Sequence, residues 1–189
     1  MKLIIARHAQ TNENVEGIEI GQESEVLLNE EGILQAQKLA DFLRSETIHI
    51  AYVSPQKRAL QTAKEVLTFH PKAIIVEASH LKEQNLGIYE GRGKGEWKAI
   101  KKASKEPFHL FKPQEGESYM DLQERIKGFF HGLFDRHKDE NVLLVSHGGT
   151  LGMLYLHLFD KELTEENYKT HKPENTALTI VEIYKKFQI

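Results

Sequence analysis

A chain of 189 residues with a formal charge of −3 and no cysteine is narrowly bounded before any motif is read. The length fits one domain, since domains commonly hold about 100–200 residues, and a chain of this size buries roughly 70% of its unfolded surface without staples. The missing thiols exclude disulfides, thiolate metal sites and cysteine nucleophiles, and the near-neutral balance gives no electrostatic case for a nucleic-acid partner. Residues 3–6 are too short for a signal-peptide core, and no apolar run approaches the ~18 residues of a spanning helix. The expectation is a protein of the cytoplasm, in a reducing compartment, with no membrane partner.

In chain order, residues 3–6 read as a short buried strand that runs straight into Arg7 and His8. Asn29 can cap a helix whose apolar positions Ile33, Ala36, Leu39, Ala40 and Leu43 follow helical spacing. Residues 48–53 form a second buried strand. Ser54 and Pro55 then look like an N-cap and first helical residue, leading into Ala59, Leu60, Ala63, Val66 and Leu67. Residues 73–76 are a third buried strand. Residues 84–117 carry glycines and two prolines and read as an irregular insertion or lid. Ser118 and Asp121 match a capping box ahead of Leu122, Ile126, Phe129, Phe130 and Leu133. A fourth strand at 142–145, a helix from Gly149 to about Phe159, and a last strand at 177–183 complete the order. Strands alternating with helices argue for an α/β fold, a three-layer α/β/α sandwich with a mostly parallel central sheet. The whole chain, 1–189, reads as a single domain.

In open α/β sheets, ligands bind beyond the carboxyl ends of the strands. Arg7-His8 follow the first strand, Ser54 and then Arg58 the second, and Ser146-His147-Gly148-Gly149 the fourth. Cationic and titratable groups therefore arrive at one edge from distant parts of the chain. Arginine forks match phosphate oxygens bidentately, and Arg58 leans back toward its helix N-terminus, where an anion is favoured. The glycines after His147 leave backbone N–H groups open to an oxyanion. Neutral imidazole is a competent nucleophile toward phosphorus. A second, protonated histidine would stabilise charge on the equatorial oxygens, and a carboxylic acid must protonate the leaving alcohol. Glu83 follows the third strand and can serve, with Glu90 and Glu117 as competitors. Two adjacent arginines repel a divalent cation, which argues against a metal on His8 and His147.

The motifs, taken together, resemble those of the histidine phosphatase superfamily, in the branch that contains cofactor-dependent phosphoglycerate mutase and its phosphatase relatives. "ARHAQTNEN" at 6–14 is similar to the family's Arg-His-Gly-Glu-Thr…Asn signature, and "SPQKRALQTA" at 54–63 to its Ser-Pro…Arg-Ala…Gln-Thr-Ala segment. "LKEQNLGIYEG", "EGES", "VSHGGT" and "ENTALT" follow in the family's order, so the likeness runs nearly end to end. The resemblance implies a phosphoglycerate mutase-like fold and a phosphohistidine formed on His8, with His147 as charge-stabilising partner and Glu83 as proton donor. It implies that Arg7 and Arg58 clamp the phosphate, helped by Asn14 and Gly148. It implies no metal and no cofactor. Ala9 and Gln10 depart from the family's glycine and glutamate.

The expected activity is metal-independent hydrolysis of small-molecule phosphomonoesters. A mutase would keep water out with extra loops and a C-terminal tail, whereas here only residues 185–189 follow the last expected strand. The acid phosphatase branch carries its donor directly after the second histidine, where this chain has Gly148-Gly149. Two alternatives stand: a cofactor-dependent phosphoglycerate mutase, and a non-catalytic phosphate-binding or regulatory protein. Arg92, Lys94, Lys98, Lys101, Lys102 and Lys105, against Glu96 alone, read either as a solvated helix face or as an attractor of substrates with more than one anionic group. His70, His109 and His131 read as surface or structural. The physiological substrate and oligomeric state are not legible.

Overall fold

The computed structural model describes residues 1–22 and 25–184. Residues 185–189, on which the expectation of a missing tail turns, lie outside the described residues. Five strands form one sheet in the order β3-β2-β4-β1-β5. They are β1 (Lys2–Arg7), β2 (Ile50–Val53), β3 (Ile74–Glu77), β4 (Asn141–Ser146) and β5 (Leu178–Glu182). All neighbours are parallel except β5, which runs antiparallel to β1.

Side chains alternate across each strand, so one apolar run feeds two cores. Leu3 and Ile5, with Val142 and Leu144, pack on α5 (Tyr119–Arg136) and α6 (Gly148–Leu158). Ile4 and Ala6, with Leu143 and Val145, pack on α2 (Glu30–Leu43) and α3 (Lys57–Leu67). The result is three layers, helices over both faces of a central sheet. The middle of β1 and β4 is fully buried, each large aliphatic side chain contributing roughly 1.5–3 kcal/mol. Helix α6 is buried through Leu156 on nearly every side, as expected of a helix apolar all round.

Four sequence expectations need correction. Residues 73–76 are not a buried strand: β3 is an edge, and Ile74 and Ile75 are 64% and 55% exposed. The last strand, β5, is the opposite edge and is only partly covered. Helix α3 starts at Lys57 with Gln56 as its N-cap, not at Ser54. Residues 84–117 are not irregular throughout, because Lys94–Ser104 form a helix, α4. The Asn29 cap and the Ser118–Asp121 capping box form as expected. Two short helices escaped the sequence reading: α1 (Asn12–Glu16) and α7 (Glu165–His171).

Candidate active site

Strand register explains why a histidine follows both β1 and β4. Arg7 stands opposite Ser146 in the parallel ladder, and the next rung is the His8 amide donating to the Ser146 carbonyl at 2.9 Å. His8 and His147 are thereby side by side, ring centroids 5.1 Å apart. On the other flank, Val53 pairs with Val145, and the Ser54 amide donates to the Val145 carbonyl at 3.0 Å. Three strand ends thus deliver His8, His147 and Ser54 to one place.

His8 is buried, and its Nδ1 lies 2.7 Å from the Ala9 carbonyl. Only a protonated Nδ1 makes that bond, which leaves Nε2 as the ring's lone-pair nitrogen. Burial, then Arg58 and Arg7, hold the His8 pKa well below the usual imidazole range. The ring is therefore neutral at pH 7.

His147 differs from expectation. Burial first, then Arg58, His8 and Arg7, push its pKa well down, so it too is neutral, not protonated. Its Nε2 is 2.7 Å from Ser54 Oγ. With the Ser54 hydroxyl as donor, Nδ1 carries the hydrogen. That Nδ1 is buried and has no hydrogen-bond partner among the described residues. Ser54 Oγ also accepts from the Gln56 amide at 3.4 Å, yet α3 starts only at Lys57.

Arg7 and Arg58 line one cavity of about 250 Å³ with His8, Asn14 and Glu83. Arg7 is oriented by donation from Nη1 to the Pro173 carbonyl at 2.7 Å, while its buried Nε lacks a partner among the described residues. Arg58 donates from Nη2 to the Gly21 carbonyl at 3.2 Å. Its burial lowers the guanidinium pKa to about 10, which leaves it charged at neutral pH. Asn14 has its amide oxygen engaged by the Thr11 amide and by Asn175 Nδ2, leaving the NH2 group to face the cavity it lines.

Glu83 reaches the site from the turn after β3 and sits on the N-terminus of α6. The Gly149 amide donates to it at 2.9 Å and the Thr150 amide at 3.1 Å, a helix-start geometry that suits a carboxylate. Of the first-turn amides, that of Gly148 is the one Glu83 does not engage. Any Cβ on Gly149 would collide with the Glu83 carboxylate, and one on Gly148 would crowd Arg7 at 3.2 Å. Both glycines are there for close approach. The competing carboxylates are occupied elsewhere. Glu90 holds the Gly21 and Gln22 amides, and Glu117 pairs with Arg125 at 2.8 Å.

The two departures from the family signature are also placed. The Ala9 side chain packs in a small apolar nest with Leu28 and Ala36. Gln10 bonds Asn29 and Gln35 and does not line the cavity.

Sequence reasoning missed several supporting residues. Gln56 Oε1 accepts from the Glu83 amide at 2.8 Å, and its Nε2 donates to the Gly21 carbonyl. Arg125 on α5 donates to the carbonyls of His80, Lys82 and Glu83, fixing the turn that carries Glu83. Asn175 donates to the His8 carbonyl at 3.0 Å; its only sequence signal is the "ENTALT" motif. Glu19, Glu174, Lys94, Lys169 and Lys172 also line the cavity, and of these only Lys94 had been noticed.

A neutral imidazole with a free nitrogen, a buried and a half-buried guanidinium and a carboxyl at the strand ends of an α/β sandwich define a phosphoryl-transfer site. Comparison with known proteins places the chain within that class. The family model for the histidine phosphatase superfamily (branch 1) matches residues 3–188. The chain is 35% identical over 195 residues to a broad-specificity phosphatase of Saccharomyces cerevisiae, covering 98% of this chain and 80% of the yeast protein. It is 33% identical over 152 residues to a probable fructose-2,6-bisphosphatase of Danio rerio, a match that covers 78% of this chain and 59% of that protein. The solved structure of YhfR from Bacillus stearothermophilus superposes with a TM-score of 0.85 at 30% identity, covering 96% of this chain and 91% of that one. The chain belongs to the histidine phosphatase superfamily. Its named relatives here are phosphatases, and membership makes it a hydrolase of that kind, with the family's phosphohistidine mechanism implied.

Proposed function

We propose that the protein is a metal-independent phosphomonoesterase in which His8 is the nucleophile and Glu83 the proton donor. The observation that carries this is the pinned Nδ1 of His8, which presents a neutral Nε2 in a cavity shared with both arginines and Glu83. A binding protein needs neither a nucleophile nor an acid.

In the first step Nε2 attacks phosphorus while the bond to the ester oxygen breaks, and the Glu83 carboxyl gives its proton to the leaving alkoxide. Arg7 and Arg58 hold the non-bridging oxygens, with the Asn14 NH2, the Gly148 amide and His147 Nδ1–H as further donors. In the second step the Glu83 carboxylate takes a proton from water, the oxygen adds to phosphorus, and the P–N bond breaks. Inorganic phosphate leaves and the site is restored. In the same reading the chain is one histidine phosphatase domain, with residues 84–117 as the cover of the site. Support comes from the bridge between Ile18 and Gly93 and from Glu19 N donating to the Arg92 carbonyl at 2.7 Å, which tie that segment to a cavity-lining loop. The substrate is a small phosphorylated molecule.

The test is phosphate release from a panel of phosphomonoesters, including an aryl phosphate and 3-phosphoglycerate, in excess chelator. Release that survives chelation is expected. Faster exchange of phosphate between the 2- and 3-positions of phosphoglycerate than hydrolysis would make the protein a mutase. No turnover of either kind would leave a phosphate-binding role.

A further inference from the structure

Beyond Glu83 the catalytic cavity continues into a second one of about 170 Å³, whose lining includes Glu83, Gly149, Trp97, Lys101, Tyr119 and Tyr168. A leaving group whose ester oxygen meets Glu83, which lines both cavities, can extend into it.

Lys101 gives this cavity its character. Its Nζ lies 3.4 Å from Tyr119 Oη and 5.2 and 5.4 Å from the ring centroids of Trp97 and Tyr119. Among the described residues no carboxylate lies within ion-pair distance of it. Burial lowers its pKa, with Lys172 and Lys169 acting in the same direction and Glu19 and Glu165 opposing. Glu165 is itself bonded to Lys169 at 2.6 Å. Lys172, which lines both cavities, stacks its Nζ 5.7 Å above the Tyr168 ring. Burial also raises the pKa values of Tyr119 and Tyr168, so both phenols stay neutral donors. A half-buried ammonium held by rings and a hydroxyl, with no counter-ion, is built to receive an anion. The carboxylates on the same wall are Glu19 and Glu83, and Glu83 is engaged by the α6 amides of Gly149 and Thr150.

We propose that this cavity is a second anion subsite, and that the preferred substrates are small phosphomonoesters carrying another anionic group on the leaving side, received by Lys101 with Lys172. The proposal rests on the phosphomonoesterase reading above. It narrows the alternatives for the lysine-rich run: Lys101 lines the second cavity and Lys94 the catalytic one, and both also border an outer groove of about 530 Å³, whereas Lys98, Lys102 and Lys105 line that groove alone.

The experiment compares 3-phosphoglycerate with glycerol 3-phosphate, which replaces the carboxylate by a hydroxymethyl group. The wild-type chain is expected to favour 3-phosphoglycerate at least tenfold in kcat/KM. Lys101→Met is expected to lower that ratio at least tenfold, mostly through KM, and Lys102→Met to leave it unchanged. Trp97, the single tryptophan, reports binding directly by fluorescence, so the same two ligands give a ratio of Kd values in all three proteins. No wild-type preference, or a preference that survives in Lys101→Met, overturns the subsite. Absence of phosphate release from both esters, with a Kd ratio that still collapses in Lys101→Met, would instead overturn the phosphatase reading and leave the subsite standing.

Discussion

The floor of the active site and its cover are built differently. The floor consists of the ends of β1, β2 and β4, and every group there is fixed by strand register or by a buried hydrogen bond, as with His8 on Ser146 and His147 on Ser54. The cover, in the reading proposed above, is residues 84–117 with α4 among them, and α7 and the chain from Lys172 to Asn175 adjoin it. Together they carry lysines on stacked rings, including Trp97, Tyr119 and Tyr168. A register-locked floor can hold the reacting atoms to fractions of an ångström, which chemistry needs. A lysine-and-ring cover can change partners at low energetic cost, which suits selection among substrates. On this view floor substitutions act on kcat for every ester, and cover substitutions act on ratios between esters.

The largest expected effect is at the floor. His8→Ala removes the proposed nucleophile, so phosphate release from any ester is expected to fall by about 10⁴-fold or more. Acid-quenched protein from a labelled substrate should carry label on the wild type and none on the variant. Label retained in His8→Ala would move the nucleophile to another residue. A smaller effect separates floor from cover more sharply. The methyl group of Gly149→Ala displaces the Glu83 carboxylate from the α6 N-terminus. Misplacing a proton donor by about 1 Å costs on the order of a hundredfold, but only where the leaving group needs its proton. Alkyl phosphates should therefore lose about 10–100-fold in kcat, and an activated aryl phosphate much less. Equal losses on both would mean that Gly149 serves the phosphate and not the donor.

Sequence pattern reached the floor more readily than the cover, for physical reasons. Apolar runs that end on Arg7-His8 or Ser146-His147 mark strand ends directly, and β-strand pairing then brings them together. The same runs say nothing about rank in the sheet, so residues 73–76 look as buried as 142–145 although Ile74 lies at an edge. Local rules also yield to tertiary partners. Ser54-Pro55 has the look of a helix start, but α3 starts only at Lys57, and Ser54 Oγ sits against the imidazole of His147. Arg125 and Lys172 carry no local signature, and Gln56 and Asn175 only their place in a motif, since a polar residue on a helix or loop reads as solvated until packing shows what it faces. Lys101 shows the limit clearly: a run of lysines was visible, yet only α4's placement against Tyr119 and Trp97 singles out one of them.

The smallest expected effect concerns stability and again contrasts the two regions. His8 and His147 are buried neutral in the floor, with pKa values held well below the unfolded value of 6.5. The unfolded chain therefore binds more protons than the folded chain as pH falls through 6.5, and folding stability drops with it. The loss continues until pH reaches the depressed folded values and amounts to at most about 1.4 kcal/mol per pH unit for each ring. Thermal unfolding should show Tm falling between pH 7 and pH 5, with a shallower fall in His8→Asn, which keeps an amide donor but cannot titrate. Lys101→Met, a substitution in the cover, is expected to leave the slope as it is. An unchanged slope in His8→Asn would show that other groups set the acid sensitivity, His70 and His157 being the candidates because burial lowers their pKa values as well. A flattened slope would tie acid sensitivity to the same buried, neutral ring whose free nitrogen the hydrolysis requires.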